Sequence, residues 1–475
     1  MTSFPFEIKE HIVPCQHIRA YARATAHEQE DELHLAVKQY IPLDNRTPKK
    51  GDVTVIATHA NGFAKVIKSP CQRRNTDQFQ ELYEPLWEEL LKRSKTEGFS
   101  IRSIWIADVS YQGASGVLNE KKLGNDPSWF DHPRDLLHFI NLFRHEMVRP
   151  IVGIGHSMGG NHLVNLSLMH PRLFETMVIV DPVIQRVTNL DGNFLPAAQS
   201  ARRRDIWPSR TAAAESFKKH PFYQRWDARV LDRWIKYGLR DLPTSIYPSI
   251  EAAAANNPKI SSSSASPQEG PPVTLTTTKH QEVLTFVRPN FDPHAVPADS
   301  YAQLLADPSS IVIATKDGNR SPHTHPDVDM SKATLSLEAT PPLFYRAESP
   351  LTFAQLPHLR PTVLYVFGGQ SSLSTPELRA EKLAVTGTGV GGSGGAAKGA
   401  VRELVFDEAG HLVPMEEVER TAHEAAGWVG RELARWRERE EADRKVWSSV
   451  KEEERSMMSP FFVEVLGKTV GKVKL

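Results

Sequence analysis

The stretch Ile151-Val152-Gly153-Ile154-Gly155-His156-Ser157-Met158-Gly159-Gly160 decides the reading of this chain. An apolar, strand-like run ends at a serine, and a pattern of helical periodicity follows it. A nucleophile on such a turn needs a strained backbone with no bulky neighbours two residues to either side. Gly155 and Gly159 leave that room, and the turn lifts the Ser157 hydroxyl above the sheet. The bare Gly-x-Ser-x-Gly pattern is weak. The strand before it and the helix after it make Ser157 a candidate nucleophile and not only a glycine turn.

Working outward, residues 52–58 form an apolar, β-branched strand ending at the turn His59–Phe63, and 79–95 space their apolar residues as an amphipathic helix. Further strands are expected at 101–107, 151–154, 176–180, 362–367 and 401–406, with helices around 133–148 and 159–170. Strands that are continuous apolar runs, alternating with helices, predict an α/β fold: a mostly parallel sheet covered on both faces. The core is expected at 51–182 and 351–475, after an N-terminal extension, 1–50, with early strands. Residues 183–350 break the series as an inserted cap, helical over 199–243 and low-complexity over 252–272. Seven glycines in the thirteen residues 387–399 read as a flexible insertion within the core. The charged stretch 415–456 reads as a solvated surface helix.

Composition narrows the partners. The 57 Lys+Arg balance the 57 Asp+Glu, which argues against broad capture of nucleic acid. No apolar run approaches 18 residues, so no membrane-spanning helix is expected. Residues 1–30 lack the layout of a secretory signal, and Cys15 and Cys71 are too few for a disulfide framework or a thiolate metal cluster. An intracellular protein is expected. The ending Val473-Lys474-Leu475 is a near-match to a peroxisomal address, which makes peroxisome or cytoplasm the expected compartment and an import receptor an expected partner.

A serine nucleophile needs a base, and Gly410-His411 follows the final strand, so His411 is the candidate. The acid is harder to read. The loop Gly368–Ser374 holds no carboxylate, whereas Asp181 ends the strand 176–180; Glu377 and Asp407 are the minor candidates, and the Asp181-Pro182 step is also an ordinary turn signal. A developing oxyanion needs amide donors. Met158, at the helix start, supplies one, and Asn61 in the turn His59–Phe63 is the choice for the other, with Gly62 as substitute and His59 as a brace for the loop. This chemistry requires no metal and no cofactor.

The motifs His-Ala-Asn-Gly-Phe (59–63), Asp-Val-Ser-Tyr-Gln-Gly (108–113), Gly-His-Ser-Met-Gly-Gly (155–160), Val-Asp-Pro-Val (180–183) and Ala-Gly-His-Leu-Val-Pro-Met-Glu (409–416), in that order, resemble the α/β-hydrolase fold family. The resemblance covers roughly 50–182 and 360–425 and is nearest to a fungal branch of peroxisomal lipase-like and toxin-biosynthesis hydrolases. It implies a serine hydrolase with Ser157 as nucleophile, His411 as base and Asp181 as acid, in the family's chain order. The absence of an Asp after 362–367 departs from the commonest pattern.

The reading therefore expects hydrolysis of a small, moderately apolar ester or thioester through an acyl-enzyme. A C–C bond hydrolase, an acyltransferase and a non-catalytic ligand-binding protein are the alternatives on the same residues. Trp129, near the sheet's carboxyl edge, and Trp207 and Trp226 in the cap are candidates for the substrate pocket; packing of the cap helices is the plainer role for the latter two. The basic run Arg202–Arg204 with Lys218 and Lys219 reads as a solvated face before an anion site.

Overall fold

The computed structural model describes residues 4–62, 82–186, 193–256, 270–289 and 344–470. Eight strands form the central sheet: β1 (Phe6–Pro14), β2 (His34–Pro42), β3 (Val53–Thr58), β4 (Ile101–Ala107), β5 (Ile151–His156), β6 (Thr176–Val180), and, after an insertion, β12 (Thr362–Gly368) and β13 (Val401–Phe406). Their order is β1-β2-β4-β3-β5-β6-β12-β13. Strands β3 to β13 of this sheet run parallel, while β1 and β2 pair antiparallel and β2 lies antiparallel on β4. The chain therefore has the expected α/β architecture.

Alternate residues of the inner strands feed two cores. Val53, Val55 and Ala57 of β3 pack on one face with Leu86, Trp87 and Leu90 of helix α1 (Glu84–Thr96), and Ile56 faces the other. That second face is covered by Leu136 and Phe139 of α3 (Asp131–Leu142) and by Leu163 and Leu166 of α4 (Met158–Met169). A short helix, α2 (Gly113–Leu118), follows β4. A strand buried on both faces must be apolar at every position, which is why these strands read as unbroken runs.

Two expectations are corrected. The charged stretch forms the helices Val413–Glu416 and Val418–Ser448, but the first half of the long helix is core and not a solvated face. Val418, Ala422, Ala425, Ala426, Val429 and Leu433 are buried, and Gly430 lets the helix approach α1 so closely that a Cβ would lie 2.7 Å from the Glu97 carbonyl. Small apolar residues at helical spacing carry that contact. The glycine-rich stretch is a defined turn tied back to the segment before β12. Gly387, Gly389 and Ser393 donate their amides to the Leu356, Pro357 and Leu359 carbonyls at 2.9, 2.8 and 3.0 Å.

Between β6 and β12 lie two further small sheets, β7 (Ile206–Trp207), β8 (Leu239–Asp241) and β9 (Val273–Leu275) in the order β7-β9-β8, and β10 (Arg288–Pro289) paired with β11 (Phe344–Tyr345). The helix Lys279–Phe286 of this segment starts with a capping box between Thr278 and Gln281. Phe63, Cys71, residues 79–81 of the expected first helix, most of the low-complexity stretch 252–272 and the ending Val473–Leu475 lie outside the described residues. Among the described residues, no helix is long and apolar enough to cross a membrane, and no three His, Cys, Asp or Glu side chains gather into a metal-binding group.

Candidate active site

Ser157 sits between β5 and α4 with φ 58° and ψ −120°, a conformation that non-glycine residues rarely adopt. The glycines around it permit this turn. A Cβ on Gly159 would lie 2.5 Å from the Thr58 carbonyl oxygen, one on Gly155 2.8 Å from the Gly159 carbonyl, and one on Gly160 2.8 Å from Ile179. The turn is held by the Ser157 amide, which donates to the Val180 carbonyl of β6 at 2.8 Å. Strain stored at one residue is thus fixed by backbone on both sides.

His411 and Asp181 come to Ser157 from distant points of the chain. The Ser157 Oγ lies 2.7 Å from His411 Nε2, and His411 Nδ1 lies 2.6 Å from Asp181 Oδ2. An ionised carboxylate only accepts, so Nδ1 carries the hydrogen and Nε2 is left to accept from the serine hydroxyl. Asp181 directly follows β6, and its own amide donates to the Val366 carbonyl of β12 at 2.8 Å, which turns its side chain under the loop after β12. There Ser371 Oγ donates to it at 2.6 Å and the Gly368 amide at 3.2 Å, and Ser374 Oγ donates as well. Burial pushes this carboxyl up, but the hydrogen bonds from His411, Ser371 and Ser374 outweigh burial and hold it below the usual range. Glu377 and Asp407, the minor candidates, are exposed. The His411 loop is anchored in turn: the Gly410 amide donates to Glu416 at 2.9 Å, and Arg225 reaches Glu416 at 2.8 Å.

The turn after β3 has its amides assigned by its neighbours. Ala60 N–H donates to the Tyr83 hydroxyl at 3.0 Å, and Gly62 N–H donates to Gln112 Oε1 at 2.9 Å. Asn61 N–H, between them, meets no acceptor among the described residues, and neither does the amide of Met158 at the start of α4. The Asn61 side chain is clamped by Gln112 Nε2 at 2.5 Å and by the Glu282 carbonyl at 3.2 Å, and Gln112 Nε2 also donates to Thr285 Oγ1 at 2.9 Å. His59 braces the turn as expected: Nδ1–H donates to the Ala60 carbonyl at 2.8 Å and Nε2 accepts from the Val109 amide at 3.2 Å.

Of the three tryptophans, Trp129 packs with Met158, Val183 and Leu373 beside the serine turn, and its Nε1 donates to the Thr285 carbonyl at 2.9 Å. Trp207 and Trp226 are buried among Phe217, Tyr223 and Trp234, in a cluster continuous with the core between β3 and α1. Arg203 pairs with the buried Glu282, and Arg204 stacks over Trp207. Sequence reasoning missed Gln112, Ser371, Ser374, Glu416, Tyr83 and His156, although Gln112, His156 and Glu416 lie inside the quoted motifs.

A serine on a strained turn between β5 and α4, with His411 after the last strand of a mostly parallel sheet, defines an α/β-hydrolase, and the chain belongs to that family. No family model matches the chain. It is 38% identical over 447 residues to a type I acyl-CoA thioesterase of Penicillium roqueforti, a match covering 93% of this chain and 91% of the relative. A type I acyl-CoA thioesterase of Penicillium brevicompactum is 40% identical over 444 residues, again with 93% and 91% covered. Among solved structures, the peroxisomal α/β-hydrolase Lpx1 of Saccharomyces cerevisiae shares the fold, with a TM-score of 0.59 at 14% identity over 98% of this chain and 97% of that one. The protein is a hydrolase acting on ester or thioester bonds.

Proposed function

We propose that this protein hydrolyses an acyl-CoA thioester with a moderately apolar acyl part, through an acyl-enzyme on Ser157. The observation that carries the reading is the unbroken chain Ser157 Oγ, His411 Nε2, His411 Nδ1, Asp181 Oδ2, with links of 2.7 and 2.6 Å. The names of the two Penicillium relatives support the thioester substrate.

Ser157 Oγ attacks the thioester carbonyl carbon while its proton passes to His411 Nε2. The Asp181 carboxylate keeps the imidazole in the required tautomer and stabilises its cationic form. The carbonyl oxygen gains the negative charge, facing the Asn61 and Met158 amides. Collapse of this intermediate breaks the carbon–sulfur bond, and the departing thiolate takes the proton from His411. Water then attacks the acyl-enzyme with His411 again accepting a proton, which releases the carboxylic acid and restores the serine. Trp129, beside Met158, is the candidate wall of the acyl site.

Thiol release from a series of acyl-CoA thioesters tests the proposal, with p-nitrophenyl esters as the oxygen-ester comparison. The expected result is thioester turnover that falls by at least about 10³-fold in Ser157→Ala. Unchanged thiol release in that variant, or a wild type inert toward both series, contradicts it.

A further inference from the structure

We propose that His156 and Tyr83 form a positioning relay, one hydrogen-bonded chain that sets the His411 loop and the Ala60–Gly62 turn relative to each other. The inference rests on the roles given above to Ser157, His411 and Asn61. His156 stands between Gly155 and Ser157 and is buried. Its Nε2 lies 3.0 Å from the His411 carbonyl oxygen, and its Nδ1 lies 2.9 Å from the Tyr83 hydroxyl. The same hydroxyl accepts the Ala60 amide at 3.0 Å. Two side chains therefore connect the backbone of the base to the residue next to Asn61.

The direction of every bond in this chain is fixed. A carbonyl oxygen only accepts, so Nε2 of His156 carries the hydrogen. Burial, with the neighbouring His411 adding to it, pushes the His156 imidazole down to about 3, so the ring is neutral and Nδ1 offers a lone pair. Tyr83 must then donate its hydroxyl hydrogen to Nδ1. Burial pushes the Tyr83 phenol well above its ordinary range, so that hydrogen is retained. The oxygen of Tyr83 keeps its lone pairs for the Ala60 amide. Both nitrogens of His156 are thus committed, and His156 is no rival to His411 as a base. Because hydrogen bonds weaken steeply with distance and angle, a shift of either loop strains the whole relay. Base and oxyanion donor are held to one frame.

The test is steady-state kinetics on Tyr83→Phe, His156→Leu, His156→Gln and the double variant Tyr83→Phe/His156→Leu, with rates normalised to sites titrated by a fluorophosphonate. Each of Tyr83→Phe and His156→Leu is expected to lower kcat by about 10-fold while KM stays within about twofold, since the relay serves the transition state. The double variant should be no slower than the slower single one, because a chain is broken only once. His156→Gln should recover part of kcat, since its amide offers an N–H to His411 and an oxygen to Tyr83. Unchanged kcat per titrated site in Tyr83→Phe and His156→Leu, with only the melting temperature lowered, overturns the relay in favour of plain packing. Losses that multiply in the double variant overturn it in favour of two independent contacts. Ser157→Ala is assayed alongside. Retained activity there overturns the acyl-enzyme reading itself, whereas an inactive Ser157→Ala beside an unimpaired Tyr83→Phe overturns the relay alone.

Discussion

Asp181 is fully buried, and burial alone would push its carboxyl up; the donors His411, Ser371 and Ser374 bring it below its ordinary value instead. An Asp181→Asn variant should lower kcat by about 10³–10⁴-fold through loss of the correct His411 tautomer, with the fold intact by circular dichroism. Glu377→Gln should leave kcat unchanged. The depressed carboxyl also makes a stability statement. Ionised Asp181 stabilises the fold at pH values above the unfolded-state carboxyl value, about 3.9, and the contribution is lost as pH falls through the lower folded value. Ser371→Ala and Ser374→Ala weaken the hold on the anion, so acid unfolding followed by fluorescence should begin at higher pH than in wild type. Acid unfolding that begins at the same pH would contradict this. That Asp181 would be the carboxylate beside His411 was legible in sequence, because the loop Gly368–Ser374 lacks a carboxylate and a strand ends at 180. The two serines were not, since nothing in Gln-Ser-Ser-Leu-Ser says which neighbouring strand's acid it will serve.

The turn between β5 and α4 is an element built on close backbone approach. Gly159→Ala drives a Cβ to within 2.5 Å of the Thr58 carbonyl, against backbone that cannot swing aside as a side chain can. We expect a loss of about 1–3 kcal/mol in denaturant unfolding, with turnover reduced as the serine turn shifts. The turn Ala60–Gly62 depends on Gln112 in the same way. Gln112→Ala strands the Gly62 amide and Asn61 Oδ1, at a cost of about 1–3 kcal/mol for each buried polar group left unpaired. It should lower kcat more than it raises KM; equal activity per folded molecule would argue against a role for this turn. At this scale sequence reading worked best where one physical demand dominated. Strands 101–107 and 176–180 match to the residue, because a strand covered on both faces must be apolar throughout. It failed for the helix Val418–Ser448, where the charges of the outer half obscured a stripe of Ala, Val and Leu packed on the sheet.

The whole molecule divides into a body carrying the site and a tail lying apart from it. Every described residue from Lys451 to Thr469 is exposed, including Phe461 and Phe462. Removing residues 451–475 should leave melting temperature and turnover unchanged, and a lowered melting temperature would reveal packing that this surface does not show. The inserted segment behaves oppositely. Its helix Lys279–Phe286 gives the Glu282 carbonyl to Asn61, the Thr285 hydroxyl to Gln112 and the Thr285 carbonyl to Trp129, so this part of the insertion is fastened to the site's own turn. The motifs made the hydrolase core legible, with its serine and histidine in order. No periodicity indicates that a helix 221 residues beyond Asn61 would close on that turn, because tertiary contacts of this range leave no local pattern. The central claim is that Ser157 is the nucleophile, activated by His411 and Asp181. Its most direct test is fluorophosphonate labelling followed by peptide mapping: the adduct should sit on Ser157 in wild type, form far more slowly in Asp181→Asn and be absent in Ser157→Ala. An adduct on another residue, or undiminished labelling of Ser157→Ala, would contradict the account.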